Sequence, residues 1–144
     1  MRVAGQWHVC DDGVTRPVIH GRVLSAGTFW CKATFLVDTG ADRTVFSADI
    51  LQSLVPPSEP AQGQLAGVGG SITTVEFPTQ IVLTRHDGGN ATFRGVFAAC
   101  PRSEMLDMSV LGRDILDRFT VIVDREGATV CLLRGNHRYQ IVGG

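Results

Sequence analysis

The 144-residue chain has no apolar stretch of the roughly 18 residues that a membrane-spanning helix needs. It has no run of Lys and Arg, and its formal net charge is −1, so it lacks the electrostatic footprint of a nucleic-acid binder. Neither a membrane nor a nucleic acid is an expected partner. The first residues, MRVAGQWHVCDDG, contain no apolar core of a secretion signal, and a cytoplasmic protein is expected. The four cysteines, Cys10, Cys31, Cys100 and Cys131, form no C-x-x-C pair. In a reducing compartment they are expected to be free, buried or half-buried thiols, with two disulfides as the alternative. The four histidines, His8, His20, His86 and His137, show no metal-ligand spacing, so no metal site is expected. No repeat suggests a solenoid, and no linker separates two cores.

What is present fits one globular domain. Hydrophobic residues make up 44% and charged residues 19%, enough apolar surface for a full core at this length. Turn signals recur about every ten residues, with β-branched residues between them, which predicts an all-β domain. VIHGRVLSAGTFWCKATFLV reads as two strands around a turn at Ala26-Gly27. SADILQSL, residues 47 to 54, reads as a short helix with Ser47 as N-cap. VPPSEPAQG reads as a loop. LAGVGGSITTVEF reads as a hairpin with Gly67, Gly69 and Gly70 at its tip. TQIVLTRHDGGNATFRGVFAA reads as a second hairpin turning at His86 to Asn90. GRDILDRF, residues 112 to 119, reads as a short helix, and FTVIVD and ATVCLL as a final hairpin. Trp7 and Trp30 are expected to be packing residues. The domain is placed at 18–133, with an N-terminal extension at 1–17 and a polar tail at 134–144.

One strand ends unusually. The apolar run TFLV stops at Asp38-Thr39-Gly40. Taken alone, this is the composition of a plain turn. Two further stretches change that reading: AGVGGSI at 66 to 72 and SVLGRDIL at 109 to 116. An apolar strand, Asp-Thr-Gly-Ala-Asp-x-Thr-Val, a glycine-tipped hairpin and apolar-apolar-Gly-Arg-Asp follow one another in order. This set resembles the retropepsin-like aspartic proteases, the single-domain, retroviral-type branch of the pepsin clan. The resemblance covers roughly residues 20 to 133.

The resemblance implies a retropepsin-like β-barrel with a glycine-tipped flap, a short C-terminal helix and a C-terminal dimerisation sheet. It implies an aspartic endopeptidase that binds its protein or peptide substrate extended. Asp38, Thr39 and Gly40 carry over as the catalytic loop. Asp42, Val45, Gly67, Val68, Gly69, Gly70, Met108 and Val110 match substrate-binding positions, with apolar residues expected beside the scissile bond. Gly112 and Arg113 match structural supports, Arg113 as the ion-pair partner of Asp42. Asp114 could instead cap its helix. The chemistry calls for two carboxylates sharing one proton, since like charges about 3 Å apart cannot both ionise. The chain has one Asp-Thr-Gly and no second Asp-Thr/Ser-Gly. A dyad therefore requires two copies of Asp38 across a two-fold axis, a homodimer. Retroviral members finish soon after the Gly-Arg helix. This chain continues through two further strands, which is more similar to the cellular and bacterial branch. The rival reading is a retropepsin-fold dimer that binds peptides or scaffolds a partner without cutting. A weaker rival is an unrelated β-barrel with a coincidental Asp-Thr-Gly.

Overall fold

The computed structural model describes residues 1–25, 29–54, 62–67, 70–102, 104, 106–135 and 142–143, with the backbone alone for 62–67 and 70–73. Eleven strands and two short helices follow in order among these residues. They are β1 (Arg2–Ala4), β2 (Gln6–Val9), β3 (Thr15–Leu24), β4 (Trp30–Val37), β5 (Val45–Phe46), α1 (Ala48–Ser53), β6 (Gln62–Gly67), β7 (Gly70–Thr84), β8 (Asn90–Ala99), β9 (Ser109–Leu111), α2 (Arg113–Leu116), β10 (Thr120–Asp124) and β11 (Thr129–Leu133).

Eight strands form one sheet in the order β2-β3-β4-β9-β5-β8-β7-β6. β3 also pairs with β7, through Gly21↔Leu83, Arg22↔Val82 and Val23↔Ile81. That pairing closes β3, β4, β9, β5, β8 and β7 into a ring, which removes most of the open sheet edge. Gly21 permits the closure. A Cβ there would lie 2.8 Å from the Leu83 side chain and 3.0 Å from the Val82 carbonyl oxygen.

Strand alternation fills the ring. Along β4, Ala33, Phe35 and Val37 are buried, and the residues between them face outward. Phe35, Phe46 and Phe97 meet inside with ring centroids 6.3 and 5.7 Å apart, joined by Ile19, Phe77, Ile81, Leu83, Leu111 and Ile115. Truncating one of these rings to alanine costs about 3–5 kcal/mol in a packed core.

The second sheet has three strands, β1-β11-β10. β10 and β11 form the hairpin expected from FTVIVD and ATVCLL. β1 was not expected. It pairs with β11 through Arg2↔Leu133, Val3↔Leu132 and Ala4↔Cys131. The Met1 ammonium donates to the Arg134 carbonyl at 3.1 Å. β2 pairs with β3, and the Trp7 indole N–H donates to the Asp124 carbonyl at 3.0 Å. The stretch ahead of residue 18 is thus woven into both sheets.

Other expectations are refined. β7 is a single 15-residue strand that serves both hairpins, so the two share one strand. Ser47 occupies the N-cap of α1, but its hydroxyl makes no capping bond. It instead meets Ser109, whose Oγ accepts from the Ser47 amide at 3.0 Å. Trp30 is 42% exposed at the start of β4 and packs under the Arg22 guanidinium, 5.6 Å from its ring centre, so it is not a core residue. The turn at Ala26-Gly27, most of the proline loop, Val68, Gly69, His137 and most of the tail lie outside the described residues. All four cysteines are free. No group of three metal-binding side chains occurs among the described residues.

Candidate active site

Asp38 follows directly on the last residue of β4 and is half-buried. Its amide donates to the Leu111 carbonyl at 3.2 Å, extending the β4–β9 ladder by one bond. Its Oδ1 accepts from the Gly40 amide at 2.9 Å, and the Ala41 amide donates to its carbonyl at 3.2 Å. The carboxylate is therefore fixed by its own tight turn. A Cβ at Gly40 would sit 3.2 Å from Asp38 Oδ1, a tight contact. Thr39 and Gly40 are exposed beside it.

The loop after Gly40 is tied to β9 and α2. The Arg113 amide donates to the Ala41 carbonyl at 2.8 Å, and the Asp114 amide to the Asp42 carbonyl at 3.2 Å. The Arg113 guanidinium also pairs with the Asp42 carboxylate. These two side chains are 48% and 77% exposed, so the ion pair contributes little stability by itself. The stronger tie is one the sequence did not disclose. The Asp114 carboxylate accepts from the Thr44 amide at 3.0 Å and from the Thr44 hydroxyl at 2.6 Å. Thr44 is buried, and its Oγ1 in turn accepts from the Gly112 amide at 3.1 Å. Gly112 passes so close that a Cβ would lie 2.3 Å from the Arg43 carbonyl carbon and oxygen.

A second tie reaches the hairpin read as the flap. β6 and β7 pair from Gln62↔Val75 to Gly67↔Gly70. Arg43, in the active-site loop, donates to Glu76 on β7 at 2.8 Å. The loop after Asp38 and the base of the hairpin are thereby joined. Neither Arg43 nor Glu76 carried a sequence signal, because the pair spans 33 residues and follows no motif.

Beside the loop lies a cavity of about 410 Å³. Leu36, Leu106, Met108 and Val110 line it, so Met108 and Val110 meet there as the sequence grouped them. Val45 does not line it; it is buried against Ala98 and Cys100. Leu36 was overlooked, although its position two residues before Asp38 places both on one face of the strand. Asp11, Asp12, Asp107 and Arg16 stand around the same cavity.

A closed β-ring carrying an Asp-Thr-Gly turn, cross-tied to a Gly-Arg-Asp helix start, defines a retropepsin-like fold. A family model described as retroviral aspartyl protease matches residues 13–124, well over half of the chain. The chain belongs to the retroviral aspartyl protease family. Comparison with curated proteins gave no match.

Proposed function

We propose that the protein is an aspartic endopeptidase, active as a homodimer in which Asp38 from each copy forms the catalytic dyad. The observation that carries this reading is the single Asp38-Thr39-Gly40 turn, with its carboxylate half-buried and its loop clamped by Asp114 and Gly112. Two such carboxylates facing each other share one proton. The ionised partner takes a proton from water as the water oxygen attacks the scissile carbonyl carbon. The protonated partner donates a hydrogen bond to the carbonyl oxygen. Proton transfer to the amide nitrogen then lets the C–N bond break.

Substrate lies extended between the β6–β7 hairpin and the floor around Asp38, adding its own strand. The β6–β7 hairpin serves as the flap, and its closure excludes water. Asp42, Met108 and Val110 flank the bound peptide, and Val45 supports them from the core behind. No metal or organic cofactor enters the chemistry, and the protein works in the cytoplasm.

The test is cleavage of a diverse peptide mixture at roughly pH 4 to 7, at a concentration that holds the dimer. Wild type is expected to cut and Asp38→Asn to be inactive, with activity lost on dilution to monomer. A folded dimer that cuts nothing would move the protein to the peptide-binding reading.

A further inference from the structure

The cavity beside Asp38 carries charge that an apolar pocket does not need. Its floor is Leu36, Leu106, Met108 and Val110. Leu36 is the Cα partner of Val110 and lies on the outward face of β4. Position 38 falls on that same face, about 7 Å further along the strand. A side chain next to a bond held at Asp38 therefore reaches this floor.

The rim comes from the β2–β3 turn and from the segment before β9. The turn is well fixed. The Cys10 amide donates to the Val14 carbonyl at 2.9 Å, and Gly13 adopts φ +80°. Asp12 accepts from the Val14 amide at 2.9 Å and from both terminal nitrogens of Arg16, at 2.9 and 2.7 Å. Arg16 is thus neutralised within the rim. Asp11 and Asp107 remain, alongside His8 and Cys10; both carboxylates are exposed, and neither has an ion-pair partner among the described residues. An apolar floor under two uncompensated carboxylates suits an apolar stem with a cationic head.

We infer that this cavity selects a substrate arginine or lysine beside the scissile bond, with Asp11 and Asp107 as the specificity-determining residues. The inference rests on the reading of Asp38 as catalytic for its place in the reaction, but not for the binding preference. The stem packs on Leu36, Met108 and Val110, and the guanidinium or ammonium meets Asp11 and Asp107 at the rim. An acidic side chain is repelled there, and an aliphatic one gains the floor alone.

Two readouts test this. In the first, wild type cuts a peptide mixture and the residues flanking each cut are counted. Arg and Lys are expected to be enriched, and Asp and Glu depleted. In Asp11→Asn/Asp107→Asn, kcat/KM for Arg peptides is expected to fall about tenfold, while matched Leu peptides change little. Asp49→Asn, which removes one charge outside the cavity, is expected to keep the wild-type preference. In the second readout, fluorescent peptides differing only in one central residue are bound to the full-length Asp38→Asn protein. Arg is expected to bind about tenfold more tightly than Glu at low salt, with the gap closing as salt is added. Cutting without basic enrichment overturns the inference. So does equal binding of the Arg and Glu peptides, or a preference that survives the double variant. If wild type cuts nothing, the endopeptidase reading fails and the binding series still decides the pocket.

Discussion

Asp114 and Thr44, 70 residues apart, are joined by three hydrogen bonds of 3.0, 3.0 and 2.6 Å. The bonds run between the start of α2 and the end of the loop that follows Asp38. They give the Thr44 amide and hydroxyl partners although the residue is buried. Removing the carboxylate would strand a buried amide. Asp114→Ala is expected to destabilise the protein by about 2–3 kcal/mol, and Asp114→Asn by less, since the amide oxygen still accepts. Urea unfolding of the two variants checks the order. Equal stability of Asp114→Ala and wild type would show that the tie is dispensable.

Gly112→Ala tests the close approach directly. A Cβ placed 2.3 Å from the Arg43 carbonyl forces the loop and α2 apart. The expected cost is about 3 kcal/mol or more, near the upper end for overpacking. A melting temperature within a degree or two of wild type would contradict the packing described here.

The Arg43–Glu76 pair is about a third and a quarter exposed. A double-mutant cycle with Arg43→Gln and Glu76→Gln is expected to give a coupling of about 0.5–1 kcal/mol in stability. Because the pair joins the loop to β7, the single variants are expected to raise KM more than they lower kcat. A change in kcat alone would remove the link between this pair and substrate closure.

Thiol reactivity separates the four cysteines. Burial raises the pKa of the Cys100 and Cys131 thiols, with Arg2 opposing it slightly at Cys131. At pH 8 both hold little thiolate, and both are sterically covered. Cys10 and Cys31 are half-exposed. A disulfide-exchange reagent is expected to label at most two thiols rapidly, with the other two appearing only on unfolding. Rapid labelling of Cys100 would argue against its packing with Val45 and Ala98.

The Asp12–Arg16 pair gives a pH signature. The Arg16 hydrogen bonds, with the Val14 amide second, lower the Asp12 pKa from 3.8 to about 2. A depressed folded-state value means the contribution is fully present above the unfolded value. It is lost as pH falls from about 4 through 2. Carboxyl NMR of the folded protein is expected to show Asp12 titrating near 2, and Arg16→Gln to return it toward 3.8. An unshifted Asp12 in wild type would mean that the turn at the cavity rim is loose.

The strands were legible where an alternating apolar pattern met a turn signal. β4 with Phe35 and Val37, and the hairpin around Gly127, are examples. The Asp-Thr-Gly turn was legible as a motif because its bonds are local, from Asp38 to Gly40. β1 was not legible. It has three residues, too few to show a period, and its partner lies about 130 residues away. Asp114 was ambiguous for a different reason. A carboxylate at a helix start suits the first turn on any helix, so its bond to Thr44 left no separate trace. Trp30 packs as expected, but at the surface beneath an arginine, because a strand-end ring need not enter the core.

The pairing of β1 with β11 bears on the order of assembly. The first strand made waits for the last, and little of the small sheet can form until residue 133 is available. The strand pairings of the ring use only residues up to Leu111, and its hairpins close short loops at small entropic cost. The strand pairings that position the Asp38 turn can therefore form before the β1-β11-β10 sheet does. Contacts this distant in sequence slow the final step of folding. A truncation before Thr129 is expected to leave β1 without its partner and the Asp38 loop already shaped.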